Sequence, residues 1–314
     1  MRQMRLPLII ASIACSLAHA ETGRDAPTKP GVSSRKLGLD IRVEPGGWGD
    51  VNTRNIETVL YAVADELMAQ LPEKLVAPIV VSHTDRAPVA LYERGPGGEY
   101  RVQLHAKGEK WHLYAYEFAH ELCHILSNYE HNVGPQTVKH NQWFEETLCE
   151  TASLFTLTSL AASWERSPPE QRWAGEARNL RRFFDHLISE GHRQLPADAP
   201  LSAWLQENEA ELRQNPYWRK KNEVVANLLL PLFRSNPQNW EALGYLNLNP
   251  DDARSTLEDY LRHWYDNAPR EHKRFVASVL ALLWDKETAP AVGDVAAPAT
   301  GSPLAVAKTG TSVR

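Results

Sequence analysis

The chain has 314 residues, 43% hydrophobic and 23% charged, with a formal net charge of −5. That length and balance suit a globular protein with a sizeable core. They argue against a nucleic-acid binder, because no basic stripe stands out of a mildly acidic chain.

Residues 1–20 are built like a secretory signal. Arg2 and Arg5 precede an apolar run, Leu6 to Leu17, that is too short to span a bilayer, and Ala18-His19-Ala20 offers small residues for cleavage. Export to the periplasm or the medium is the expectation, with no membrane span elsewhere. Ser12-Ile13-Ala14-Cys15 offers a lipoprotein box as the alternative, with Ser12 a poor fit to it. Removal of the signal leaves Cys123 and Cys149, an even pair in an oxidising compartment. Residues 21–36 are polar, with Pro27, Pro30 and Gly31, and read as a flexible lead-in.

Alternation over Leu39 to Val43 predicts a strand. Ile56, Leu60, Val63, Ala64 and Leu67 recur at helical spacing, behind Asn52 or Thr53 as cap. Strands are predicted at Ala77 to Ser82, at Val89 to Glu93 and, after a turn at Gly95 to Gly98, at Tyr100 to His105. Trp111 to Leu126 is apolar on nearly every side, the pattern of a buried helix. Beyond Trp143 the pattern is helical: Trp143 to Ser163, Glu170 to Glu190, Leu201 to Gln214, Asn222 to Arg234, Asp251 to Tyr265 and Arg270 to Trp284. Residues 287–314 hold no aromatic residue and read as a disordered tail. The fold expected is α+β, with a mixed lobe over 37–127 followed by an all-helical lobe over 128–286.

The buried helix carries His120-Glu121-Leu122-Cys123-His124, an H-E-x-x-H motif. Residues four apart share a helix face, so both imidazoles can meet one ion. Glu121 stands about 100° round the helix from His120, within reach of a water on that ion. A catalytic zinc needs a third protein ligand and an open fourth position. Glu146 follows His124 by 22 positions, and Glu150 follows one helical turn later on the same face. One carboxylate can bind metal while the other accepts the ring N–H of a ligand histidine. Glu145 is the competing ligand, and Glu150 has a plain surface carboxylate as its other reading. Glu117, three before His120, shares the ligand face and could meet a substrate amine or be uninvolved. His105, His112, His131 and His140 are expected to be loop or core histidines. Cys123 and Cys149 lie about 60° to 80° round their helices from the ligand direction, which allows either a disulfide or two buried thiols.

These motifs resemble the gluzincin group of zincin metallopeptidases, which includes thermolysin and the zinc aminopeptidases. The resemblance covers about Leu39 to Ser163. It implies a zincin-like fold, one Zn²⁺ per chain on His120, His124 and Glu146, Glu121 as general base and Glu150 orienting a ligand histidine. It also implies a peptide or protein substrate paired at a sheet edge formed by Tyr100 to His105. Glu145 and Thr147 stand where the aminopeptidases usually carry Asn and Gly, and their Gly-x-Met-Glu-Asn motif is absent, so exopeptidase action is not implied. Tyr217, Tyr245, Tyr260 and His263 are the candidate transition-state donors. Two other readings remain: a non-catalytic peptide- or partner-binding protein, and a zinc amide hydrolase acting on cell-wall peptides.

Overall fold

The computed structural model describes residues 38–68, 77–131, 134, 136–196 and 199–284. The expected signal, lead-in and tail lie outside the described residues. Strand β1 (Ile41–Val43) leads into helix α1 (Thr53–Met68), and β2 (Ile79–His83), β3 (Val89–Ala90) and β4 (Tyr100–Leu104) complete a four-stranded sheet. Helices α2 (Trp111–Leu126) and α3 (Gln142–Arg166) follow, then α4 (Glu176–Ile188), α5 (Leu201–Gln214), α6 (Arg219–Ser235), α7 (Leu257–Asn267) and α8 (Arg270–Leu283). The architecture is α+β: a small mixed sheet, then a helical part.

The sheet order is β1-β2-β4-β3. β1, β2 and β4 run parallel, with Ile41 opposite Ile79 and Val81 opposite Val102, while β3 is antiparallel to β4. The alternation expected in β4 is present, with Val102 and Leu104 buried. Its expected place at the sheet edge is not: β4 is flanked on both sides, and the two-residue β3 is the edge strand. The edge next to α2 is therefore Val89–Ala90.

α2 and α3 pack on each other more extensively than any other pair of elements. Tyr114, Phe118, Leu122 and Ile125 on α2 are buried with Trp143, Phe144, Leu148 and Phe155 on α3. Burial on nearly every side explains why neither helix has a clean polar face. One hydrophobic cluster runs from Leu39 to Leu283 and joins the sheet to the helical part.

Four helices differ by three residues or more from their sequence limits, α3 running on to Arg166. The expected helix over 170–190 is broken into a 3₁₀ turn, Gln171–Trp173, and α4. The expected helix from Asp251 begins only at Leu257, because the Thr256 side chain accepts from the Asp259 N–H and caps it there. α6 begins earlier than expected, at Arg219. A 3₁₀ segment at Pro237–Tyr245 was not expected.

The C-terminal end of α2 is closed from far along the chain. Asn128 (φ 57°) donates from Nδ2 to the carbonyls of Gly244 and Leu246, at 2.9 and 3.0 Å. Asn247 (φ 59°) donates in return to the Ser127 carbonyl at 2.8 Å. Asparagine tolerates this left-handed backbone better than most residues.

Candidate metal centre

His120 and His124 stand one turn apart on α2, their ring centroids 5.2 Å from each other. α3 brings the Glu146 carboxylate between them. Its Oε2 lies 3.2 Å from His120 Nε2 and its Oε1 3.5 Å from His124 Nε2. Gln142, one turn earlier on α3, donates from Nε2 to Glu146 Oε1 at 3.0 Å. Burial pushes the Glu146 carboxyl up, but His124 and the hydrogen bonds from both imidazoles more than reverse this and hold it well below the usual carboxylate range. Two imidazole nitrogens and an ionised carboxylate thus converge, the donor chemistry of a zinc site. His124 Nδ1 is buried with no hydrogen-bond partner.

Glu121 is buried beside this group. Its Oε2 accepts the backbone N–H of Ala90 at 2.6 Å, which ties the motif helix to the edge strand. Burial pushes its carboxyl up to about 8, against the lowering effect of His124 and the Ala90 N–H.

The neighbouring acids are differently employed. Glu145 is buried and takes a 2.7 Å salt bridge from Lys139 Nζ, which also donates to the Tyr129 carbonyl at 3.1 Å. It thus has its own cation in Lys139. Glu150 does not orient a histidine. Its Oε1 accepts from Arg193 at 2.7 Å and its Oε2 from the Tyr116 hydroxyl. Arg193 also bonds Glu223 at 2.8 Å and Glu190 at 3.0 Å, and Arg219 bonds Glu223 at 2.7 Å. Glu117 is likewise occupied: its Oε2 accepts the backbone N–H groups of His105 and Ala106, at 2.8 and 3.0 Å, and pins the end of β4 to α2. That use leaves the expected substrate contact without support. Cys123 and Cys149 are both buried free thiols, and the Cys149 thiol is raised well above its ordinary value, first by burial and then by its neighbour Cys123.

A second donor set shares the two imidazoles: His120, His124 and Cys149 each offer an atom, all within 4.8 Å of one another. Glu146 is the better third ligand, because its oxygens already stand against both Nε2 atoms and are ionised, whereas the thiol must lose a proton first.

Of the four candidate donors, Tyr217 is the one near the centre. Burial, then the Glu146 charge, pushes its phenol up to about 12, although the residue as a whole is 58% exposed. Tyr260 is buried with its hydroxyl on Asn247, and His263 is bound to Asp252. Tyr245 lies tilted against the His272 ring. The remaining histidines have separate surroundings: His105 lies on the Thr84 carbonyl, His112 on the Phe183 ring, His140 against Arg213, and His131 is exposed.

Sequence reasoning missed Gln142, Ala90 and Arg193. Gln142 was within reach, being four residues before Glu146 on the same helix. Ala90 acts through its backbone and Arg193 arrives from a 3₁₀ turn, Gly191–Arg193, so neither carries a local signal. Comparison of the chain with protein-family models, curated proteins and solved structures finds no match.

Proposed function

We propose that the protein is a zinc-dependent metallopeptidase of gluzincin type. The observation that carries this reading is the single carboxylate of Glu146 set against His120 Nε2 and His124 Nε2, with Glu121 buried next to them. His120, His124 and Glu146 would hold the ion. Zinc at such a site supplies a Lewis acid that acidifies water and polarises a carbonyl.

The chain's own residues supply the rest. Glu121 accepts a proton from the attacking water at its carboxylate and hands it to the leaving amine nitrogen. The Ala90 N–H orients that carboxylate and couples it to the edge strand. Tyr217 donates from its hydroxyl to the developing oxyanion. The substrate chain pairs alongside β3 as an added strand.

Metal content and hydrolysis together test this. The wild type is expected to hold about one zinc per chain and to cleave members of a peptide library. Glu121→Gln should keep the zinc while hydrolysis falls at least ~10²-fold, the usual loss for a general base. His120→Ala and Glu146→Ala should lose metal and activity together. Wild-type rates in Glu121→Gln would overturn the mechanism. A fully zinc-loaded wild type that cleaves nothing would favour a non-catalytic binding protein instead.

A further inference from the structure

Three side chains touch the Glu146 carboxylate: His120 at Oε2, and His124 and Gln142 at Oε1, at 3.2, 3.5 and 3.0 Å. An ion would treat them differently. An imidazole nitrogen that turns its lone pair to an ion can no longer donate a hydrogen from that atom. Both histidine contacts are therefore exchanged for metal bonds when an ion is held. A side-chain amide nitrogen donates and offers no lone pair, so the Gln142 contact is the one of the three that persists. An ionised carboxylate accepts only, which makes the NH₂ end of Gln142 the end that faces it.

Gln142 is placed for this task. It is 8% exposed, at the first position of α3 and one turn before Glu146. The turn that carries it is tethered on both sides. Asn141 donates from Nδ2 to the Ser255 carbonyl at 3.0 Å, and Glu145 takes the Lys139 salt bridge. A polar pair at this spacing also supports an isolated helix, but that use works on an exposed face and does not call for burial. Glutamine is mostly an exposed residue, and a buried one needs its polar end engaged.

We propose that Gln142 is the positioning residue of this centre: its amide holds Glu146 Oε1 and thereby presents Oε2 to the ion that His120 and His124 share. This rests on the metal reading given above. The amide removes rotational freedom from the Glu146 side chain before an ion arrives, so less is lost on binding. The fourth position stays open, because Gln142 bonds the carboxylate and not the ion.

Chelator competition on the full-length protein measures the effect. Gln142→Met keeps the length of the side chain and removes the donor. It should weaken zinc binding about 10–100-fold, the usual loss when a partner of a metal ligand is deleted. The urea midpoint of the metal-free variant should stay close to wild type, since both imidazoles still hold Glu146 there. Cobalt(II) in place of zinc gives visible bands set by the coordination geometry, and these should change in the variant. Gln142→Leu serves the same purpose if the methionine variant does not fold. Wild-type zinc affinity in a folded variant would overturn the positioning role and leave the His120, His124 and Glu146 site standing. Weaker zinc binding with unchanged cobalt bands and a large fall in the urea midpoint, or failure of both variants to fold, would make Gln142 a residue of the fold and overturn the role as well. A wild type that takes up neither zinc nor cobalt would overturn the metal reading itself.

Discussion

Glu146 and Glu150 stand one turn apart on the same face of α3, and they keep different company. Glu146 is 13% exposed and faces two imidazoles and an amide. Glu150 is 3% exposed and faces Arg193, with Arg219 3.9 Å beyond. An imidazole is neutral or charged as its surroundings dictate, and a neutral one can yield its lone pair to an ion. A guanidinium is always charged and offers no lone pair, so a carboxylate beside it is fully compensated and closed to metal. Two glutamates that are equivalent in a helical repeat therefore part into a ligand and a brace. Glu145, held by Lys139, is a second brace on the same turn.

The largest expected effect breaks the brace. Arg193→Met removes the nearer cation from buried Glu150 and one of the two cations from buried Glu223, and should cost about 3–5 kcal/mol, the usual loss when one partner of a buried pair is deleted. Urea unfolding measures it, and the folded fraction should still take up zinc. An unchanged midpoint would mean that the network carries no stability.

Tyr217→Phe acts on the other region. It should lower kcat by ~10²-fold with little change in KM or zinc content, as for loss of an oxyanion donor. A change confined to KM would assign Tyr217 to substrate binding instead.

Glu150→Gln sharpens the comparison. A carboxylate that orients a ligand histidine costs 10–100-fold in metal affinity when removed. Glu150 faces guanidiniums, so competition with a chelator should show less than a ~10-fold change. A larger loss would make Glu150 part of the metal centre after all.

The effect that vanishes at neutral pH lies on α2 itself. Burial, then Lys110, lowers His112 to about 4. In the unfolded chain the ring titrates near ~6.5. Between those values the unfolded state takes a proton that the folded state refuses, so His112 removes stability progressively as pH falls from about 6.5 to about 4, and has no effect above that window. His112→Gln should flatten that part of the stability–pH curve, read as urea midpoints at several pH values. An identical slope in the variant would refute the assignment.

The ligand corner was legible in the sequence because helix periodicity is local. Four-residue spacing set His120 and His124 on one side of α2, and pairing with Glu150 favoured Glu146 over Glu145. Periodicity names a face and is silent on what stands opposite it. Arg193 meets Glu150 across 43 positions, so the brace was read as an orienter. The sheet edge failed for a similar reason: alternation located β4 but could not reveal that two residues, Val89 and Ala90, would cover its flank. Glu117 was read by its face on α2, whereas the backbone N–H groups that occupy it belong to the loop after β4.

The asparagine pair ties the end of α2 to residues that lie far along the chain. Asn247 reaches the Ser127 carbonyl across 120 positions, and Asn128 reaches Gly244 and Leu246 across almost as many. On the ribosome, the motif helix emerges long before the residues that close its end, and before Arg193, which compensates Glu150 on its partner helix. Both imidazoles and Glu146 are thus translated early and brought to their final support late. Contacts of such separation carry more loop-closure cost than the helix's own local bonds, so the end of α2 is closed only once residues 244–247 are in place.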